Sequence, residues 1–175
     1  MKLYFARHGQ TNANVNGLPD VELGDSINAV GVKEAKELAE TLKNVHFDAI
    51  IASPLKRAIE TAEAINEYHR LPIRIIDNLR EREAATYVGA ELWGKMFDFD
   101  NDEVIENVEQ LPAFFDRVYP VLDDLKQEYK DKNILVVSHG GVHHAVHAYA
   151  NQLPRKGSVR IDRLHNCDYR IYDIA

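Results

Sequence analysis

The sequence predicts an α/β fold of three layers, a mostly parallel central sheet with helices on both faces. Short apolar runs alternate along the chain with stretches whose apolar residues recur at helical spacing, the pattern of repeated strand–helix units. The most apolar run, Ile134 to Ser138, carries no polar alternation, as suits a strand covered on both faces. With 175 residues, 45% of them hydrophobic, the chain is long enough to bury one full core.

Lys2 to Ala6 reads as the first strand, ending abruptly at Arg7-His8-Gly9, and a polar loop rich in Asn and Gly follows to about Asn28. Ala29 to Leu42 places Ala35, Leu38, Ala39 and Leu42 at helical spacing. Ala49 to Ala52 is a short buried-strand pattern. Ser53-Pro54 then offers a cap residue and a proline at the first helical position, opening a helix to about Tyr68. Ile73 to Ile76 is a further strand, and Asp77 to Phe97 is loop with some helix. Val104 to Tyr129 is predominantly helical, with a break near Pro112 and a bend at Pro120. The strand at Ile134 leads into a helix from Gly141 to about Asn151, and Cys167 to Ile174 reads as a last strand. With no repeat, linker or low-complexity segment, residues 1–175 are expected to form a single domain, with a cap or lid at about 77–125.

A net charge of −7 argues against a general nucleic-acid binder, which needs a basic face, but leaves room for a local arginine pocket. The single cysteine, Cys167, precludes an intramolecular disulfide, fits a reducing compartment and reads as a small apolar side chain in a late strand. The opening MKLYFARHG is too short an apolar run for a signal peptide, and no stretch reaches the ~20 apolar residues that span a bilayer. The expectation is a soluble cytoplasmic protein with no membrane and no nucleic-acid partner.

In such a sheet ligands bind beyond the carboxyl ends of the strands. Arg7-His8-Gly9-Gln10-Thr11, Ser53 to Arg57, and Ser138-His139-Gly140-Gly141 all follow strands, so two histidines and two arginines converge on one sheet edge. That set suits phosphoryl transfer. Guanidinium forks match phosphate oxygens, a neutral imidazole is a competent nucleophile, and paired cations offset the charge on the moving phosphoryl group.

The same residues carry a resemblance. Arg7-His8-Gly9-Gln10-Thr11, Asn14, the block Ser53-Pro54-Leu55-Lys56-Arg57-Ala58-Ile59-Glu60-Thr61-Ala62, and Val137-Ser138-His139-Gly140-Gly141 stand in the order of the histidine phosphatase superfamily, the phosphoglycerate mutase-like fold. Leu79-Arg80-Glu81 resembles the segment bearing that family's proton donor. The resemblance implies that His8 is the nucleophile and forms a phosphohistidine. Arg7, Arg57 and His139 would clamp the phosphoryl group beside Gly140, Asn14 would add a hydrogen bond, and Glu81 would act as acid and then base. It further implies that no metal and no cofactor is needed. The chain departs from the family after Glu81, reading Arg82-Glu83-Ala84-Ala85 where an aromatic and a glycine are usual, which leaves Glu83 as a rival donor.

Competing readings are plain. His139, His143 and His147 share a helical face and invite a zinc hypothesis, but no carboxylate or cysteine joins them in sequence, so His143, His144 and His147 are read as lining or supporting the pocket wall. The acidic stretch from Asp98 to Asp124, whose one basic residue is Arg117, reads as a solvated helical cap that disfavours highly anionic substrates. Trp93, Phe97 and Phe99 read as core. The expected activity is a phosphatase on a small phosphomonoester or related phosphoryl compound. The alternatives are a cofactor-primed phosphoglycerate mutase and a catalytically silent phosphate-binding regulator. Substrate and oligomeric state are left open.

Overall fold

A computed structural model describes residues 1–16, 26–82, 104, 106–154 and 164–175. Its strands are β1 (Lys2–Arg7), β2 (Ala49–Ala52), β3 (Ile73–Ile75), β4 (Asn133–Ser138) and β5 (Tyr169–Asp173). Among the described residues its helices are α1 (Asn12–Asn16), α2 (Ala29–Leu42), α3 (Lys56–Asn66), α4 (Leu111–Glu128) and α5 (Gly140–Ala150), with a 3-10 turn at Asp77–Leu79. The strands lie in the order β3-β2-β4-β1-β5. The first four run parallel and β5 is antiparallel to β1, so the sheet is mostly parallel, as the alternation predicts.

Alternation along the strands divides the core into two. Leu3, Phe5, Ile51, Ile134 and Val136 face one side, where they pack with Leu111 to Leu125 of α4 and Val142 to Ala148 of α5. Ala6, Ile50, Ala52, Leu135 and Val137 face the other, against Leu38, Ala39 and Leu42 of α2 and Ala58, Ala62 and Ile65 of α3. Each central strand therefore buries both its faces, and helices cover both layers of the sheet.

Register then fixes where the loops emerge. Ala6 and Ala52 both pair with Val137, and Arg7 pairs with Ser138, so the carboxyl ends of β1, β2 and β4 finish level. β4 continues into α5 on one face, while β1 and β2 lead to α2 and α3 on the other. Connections that part in this way leave a crevice at the strand ends.

Several boundaries differ from the sequence expectation. The loop after β1 contains α1, opened by reciprocal caps: Thr11 N–H donates to Asn14 Oδ1 and Asn14 N–H to Thr11 Oγ1, each at 3.2 Å. It buries none of its residues and so leaves no apolar period to read. α3 starts at Lys56 with Leu55 extended at its N-cap, not at Pro54; the Ser53 hydroxyl accepts the Leu55 N–H (3.3 Å) ahead of the helix. α4 begins at Leu111 with Pro112 in its first turn and runs on through Pro120; among the described residues before it, Asn107 is left-handed (φ 62°). Cys167 sits in a turn ahead of β5, also left-handed (φ 54°), where its N–H donates to the carbonyls of Arg7 (3.1 Å) and His8 (3.3 Å). Glu83, Trp93, Phe97 and Phe99 lie outside the described residues.

Candidate active site

His8 follows directly on β1 and is 3% exposed. Its Nδ1 lies 2.8 Å from the carbonyl of Gly9, and since a carbonyl only accepts, Nδ1 carries the proton. The lone pair is then on Nε2. Burial, followed by the charges of Arg57 and Arg7, holds the ring well below the ordinary histidine pKa, so it stays neutral. A neutral ring with a fixed tautomer is a preset nucleophile.

The backbone around His8 is gripped from both sides. Asn166 donates its side-chain amide to the His8 carbonyl (2.9 Å) and to Asn14 Oδ1 (3.0 Å). Gly9 N–H donates to Thr61 Oγ1 (3.0 Å), whose own hydroxyl donates to the Arg57 carbonyl one turn back in α3 (2.7 Å). Gln10 N–H donates to Glu34 Oε2 (2.9 Å). The loop lies so close to α2 that a Cβ at Gly9 would come within 2.8 Å of the Gly31 carbonyl oxygen, and one at Gly31 within 2.3 Å of the Gln10 oxygen. Two glycines make the approach possible.

Arg57, in the first turn of α3, is 1% exposed, and its charge acts on both His8 and His139. Arg7 is nearly buried and donates through Nη1 to the Leu164 carbonyl (2.9 Å). Its Nε would lie 3.8 Å from a Cβ on Gly140, which puts the guanidinium beside the opening of α5. His139 is the N-cap of α5; its ring centroid lies 5.2 Å from that of His8. Its Nε2 lies 2.7 Å from Ser53 Oγ, whereas its Nδ1 is buried without a partner. Burial first, and then Arg57, His8, Arg7 and Arg117, lowers its pKa well below the usual value.

Glu81 reaches the same helix terminus. Its Oε2 accepts from Gly141 N–H (3.1 Å) and its Oε1 from Arg82 N–H (2.9 Å). The positive end of α5 thus meets a carboxylate, a histidine and the nearby Arg7.

All the predicted residues, Arg7, His8, Asn14, Arg57, Glu81, His139 and Gly140, are described, and they are linked by these contacts around the ends of β1, β2 and β4. Ser53, Thr61 and Ser138 stood within quoted blocks but were given no part in the site, Ser53 being read as a helix cap, and Asn166 escaped the sequence reading altogether. Of the three further histidines, His144 Nδ1 lies 2.9 Å from the Gly140 carbonyl, while His143 and His147 meet Tyr172 of β5. His143 packs on Phe5 (ring centroids 5.3 Å apart), its Nε2 is 2.7 Å from the Tyr172 hydroxyl, and His147 Nδ1 is 3.3 Å from that same oxygen. Among the described residues no group of three or more His, Cys, Asp or Glu side chains is arranged to hold a metal. Nor is any described helix long and apolar enough to cross a membrane.

Residues 3–175 match the family described as the histidine phosphatase superfamily (branch 1). The chain is 36% identical over 142 residues to the uncharacterized phosphatase PhoE of Bacillus subtilis, covering 81% of this chain and 73% of that protein. A probable phosphoglycerate mutase, GpmB of Proteus mirabilis, is 29% identical and covers 95% of this chain and 82% of its own length. Among solved structures, the alpha-ribazole phosphatase from Shigella flexneri superposes with a TM-score of 0.86 at 30% identity, covering 100% of this chain and 91% of that one.

Proposed function

This chain belongs to branch 1 of the histidine phosphatase superfamily and is a phosphoric monoester hydrolase, and from that premise we propose how its residues divide the work. His8 Nε2 attacks phosphorus, forming the N–P bond as the ester P–O bond breaks, and Glu81 gives its proton to the leaving oxygen. Water then attacks the phosphohistidine, Glu81 takes a proton from it, the N–P bond breaks, and inorganic phosphate leaves with His8 neutral again. Arg7, Arg57 and His139 bind the phosphoryl oxygens as charge spreads over them, with Gly140 allowing close approach and Asn14 donating from its amide. The substrate is a small phosphomonoester or related phosphoryl compound and the chain a single domain; of the cap expected at about 77–125, the part in α4 instead packs its apolar face in the core. The setting is the cytoplasm.

One observation carries this reading: the Gly9 carbonyl fixes the protonated nitrogen of a buried histidine and leaves the other for phosphorus. The test is to quench turnover of a labelled phosphomonoester without acid. An alkali-stable, acid-labile phosphoryl group is expected on the protein and is expected to be missing in His8→Ala; label on any other residue overturns the assignment. Incubation with 3-phosphoglycerate, with and without 2,3-bisphosphoglycerate, separates phosphate release from isomerisation. Release is expected to outpace isomerisation, because the stretch from Ala84 to Asp124 holds only Lys95 and Arg117 against many acids. Such a composition offers few cations to a doubly charged phosphoglycerate.

A further inference from the structure

Beyond α1, the segment from Asn78 to Glu81 is the least regular part of the site. The 3-10 turn closes at Leu79, and Arg80 is extended (φ −61°, ψ 156°), so these carbonyls have no helix or strand to accept from. Each nonetheless receives a donor. Ser138 Oγ donates to the Leu79 carbonyl (2.7 Å). The remaining three are all served by one side chain, Arg117 of α4. Its Nη1 donates to the carbonyls of Asn78 (2.8 Å) and Arg80 (2.9 Å), and its Nη2 to that of Glu81 (2.9 Å).

The other donors of this guanidinium are committed to Glu109. Nε lies 2.6 Å from Glu109 Oε1 and Nη2 2.8 Å from Oε2, a bidentate pair whose side chains are 14% and 15% exposed. The ring of Phe114 lies beneath the guanidinium carbon, 4.9 Å from its centroid. A guanidinium has five N–H groups, and all five are accounted for here. Arg117 is therefore neither a solvated charge on an acidic helix nor a ligand available to substrate.

We infer that Arg117 is a positioning residue for Glu81, holding the backbone that aims the carboxylate at the leaving oxygen. The inference rests on the reading of Glu81 as proton donor. Loop backbone left to itself samples many conformations, and a misplacement of about 1 Å at a reacting group costs about a hundredfold in rate. Fixing three carbonyls, the last belonging to Glu81 itself, removes that freedom at the place where it matters. The planar fork is what makes this possible. A lysine has three donors on a flexible stem and cannot reach three carbonyls and a carboxylate together.

Two esters distinguish positioning from bulk stability. Proton donation matters for an alkyl leaving group such as that of glycerol 2-phosphate, and little for p-nitrophenyl phosphate, whose phenolate leaves unaided. Arg117→Met is expected to lower the single-turnover rate of phosphohistidine formation from glycerol 2-phosphate about tenfold or more, with the same rate from p-nitrophenyl phosphate nearly unchanged; this readout precedes the water attack that Glu81 also serves, and the variants below are compared on it. Arg117→Lys is expected to behave like Arg117→Met. Glu81→Gln is expected to give the same selectivity, and the double variant to be no worse than Glu81→Gln alone. Should Arg117→Met fail to fold, Glu109→Gln, which loosens the clamp without emptying its volume, is expected to show a smaller loss with the same preference. Equal losses on both esters in the Arg117 and Glu109 variants, or losses that multiply with Glu81→Gln, overturn the inference. If Glu81→Gln itself slows both esters alike, it is the donor assignment that falls.

Discussion

Ser53 was visible in the sequence as a cap residue, and the structure sets it beside His139, outside α3. Its Oγ accepts the Leu55 N–H (3.3 Å) and pairs with His139 Nε2, fixing the ring that faces His8. Ser53→Ala leaves that buried nitrogen without a partner, which costs about 1–3 kcal/mol of stability. It also frees the imidazole to rotate, so kcat on p-nitrophenyl phosphate is expected to drop by roughly tenfold to a hundredfold. Urea unfolding and steady-state kinetics on one preparation measure both; unchanged kcat with reduced stability would confine Ser53 to a structural part. Arg7, His8, Arg57 and His139 were legible because each follows a strand within a recognisable block. Arg117 was not, since a lone base on an acidic helix gives no sign that three carbonyls and a carboxylate await it.

Among the elements, α2 and β2 were read from the sequence with the bounds they have, because their buried residues keep an unbroken period. α1 and the start of α4 were not, since each is set by caps, turns and distant partners instead of periodicity. The junction between α2 and the loop that carries His8 shows what packing adds to period. Gly31 lies in the first turn of α2, its N–H held by Asn28 Oδ1 (2.9 Å), directly against the Gln10 backbone. Gly31→Ala would force a Cβ to 2.3 Å from a backbone oxygen, so either the helix or the loop must shift. Overpacking of this kind costs about 1–3 kcal/mol, although alanine is intrinsically the better helix former. The expected outcome is a lower urea midpoint together with a lower kcat, because the loop that moves carries His8. A more stable, fully active Gly31→Ala enzyme would show that the contact relaxes without reaching the site.

At the scale of the whole molecule, the buried histidines link folding to pH. His8 and His139 are held well below the ordinary value, and His143 is lowered to about 3 by burial and then by His144, His147 and Arg170. An unfolded chain protonates these rings below about pH 6.5, while the folded chain does not. The folded state thus binds fewer protons there, so stability is fully present above pH 6.5 and is lost as pH falls. Each histidine contributes a slope of about 1.4 kcal/mol per pH unit once its unfolded form is charged. His143→Gln is expected to make the fall in unfolding free energy between pH 6 and 4 shallower by about one such increment; an unaltered slope would mean that His143 titrates alike in both states. Such couplings are hidden in the sequence because their partners are remote, as Asn166 is from His8, 158 positions away. That distance also has a consequence in time. Ribosomes add about 5–20 residues per second, so His8 is synthesised roughly 8–30 s before Asn166, which holds its carbonyl, and well before Leu164 and Cys167, which hold the side chain and the backbone carbonyl of Arg7 respectively. Through that interval His8 and Arg7 lack the contacts that the 164–167 segment supplies, and the strand-end site is complete only once the turn ahead of β5 has docked.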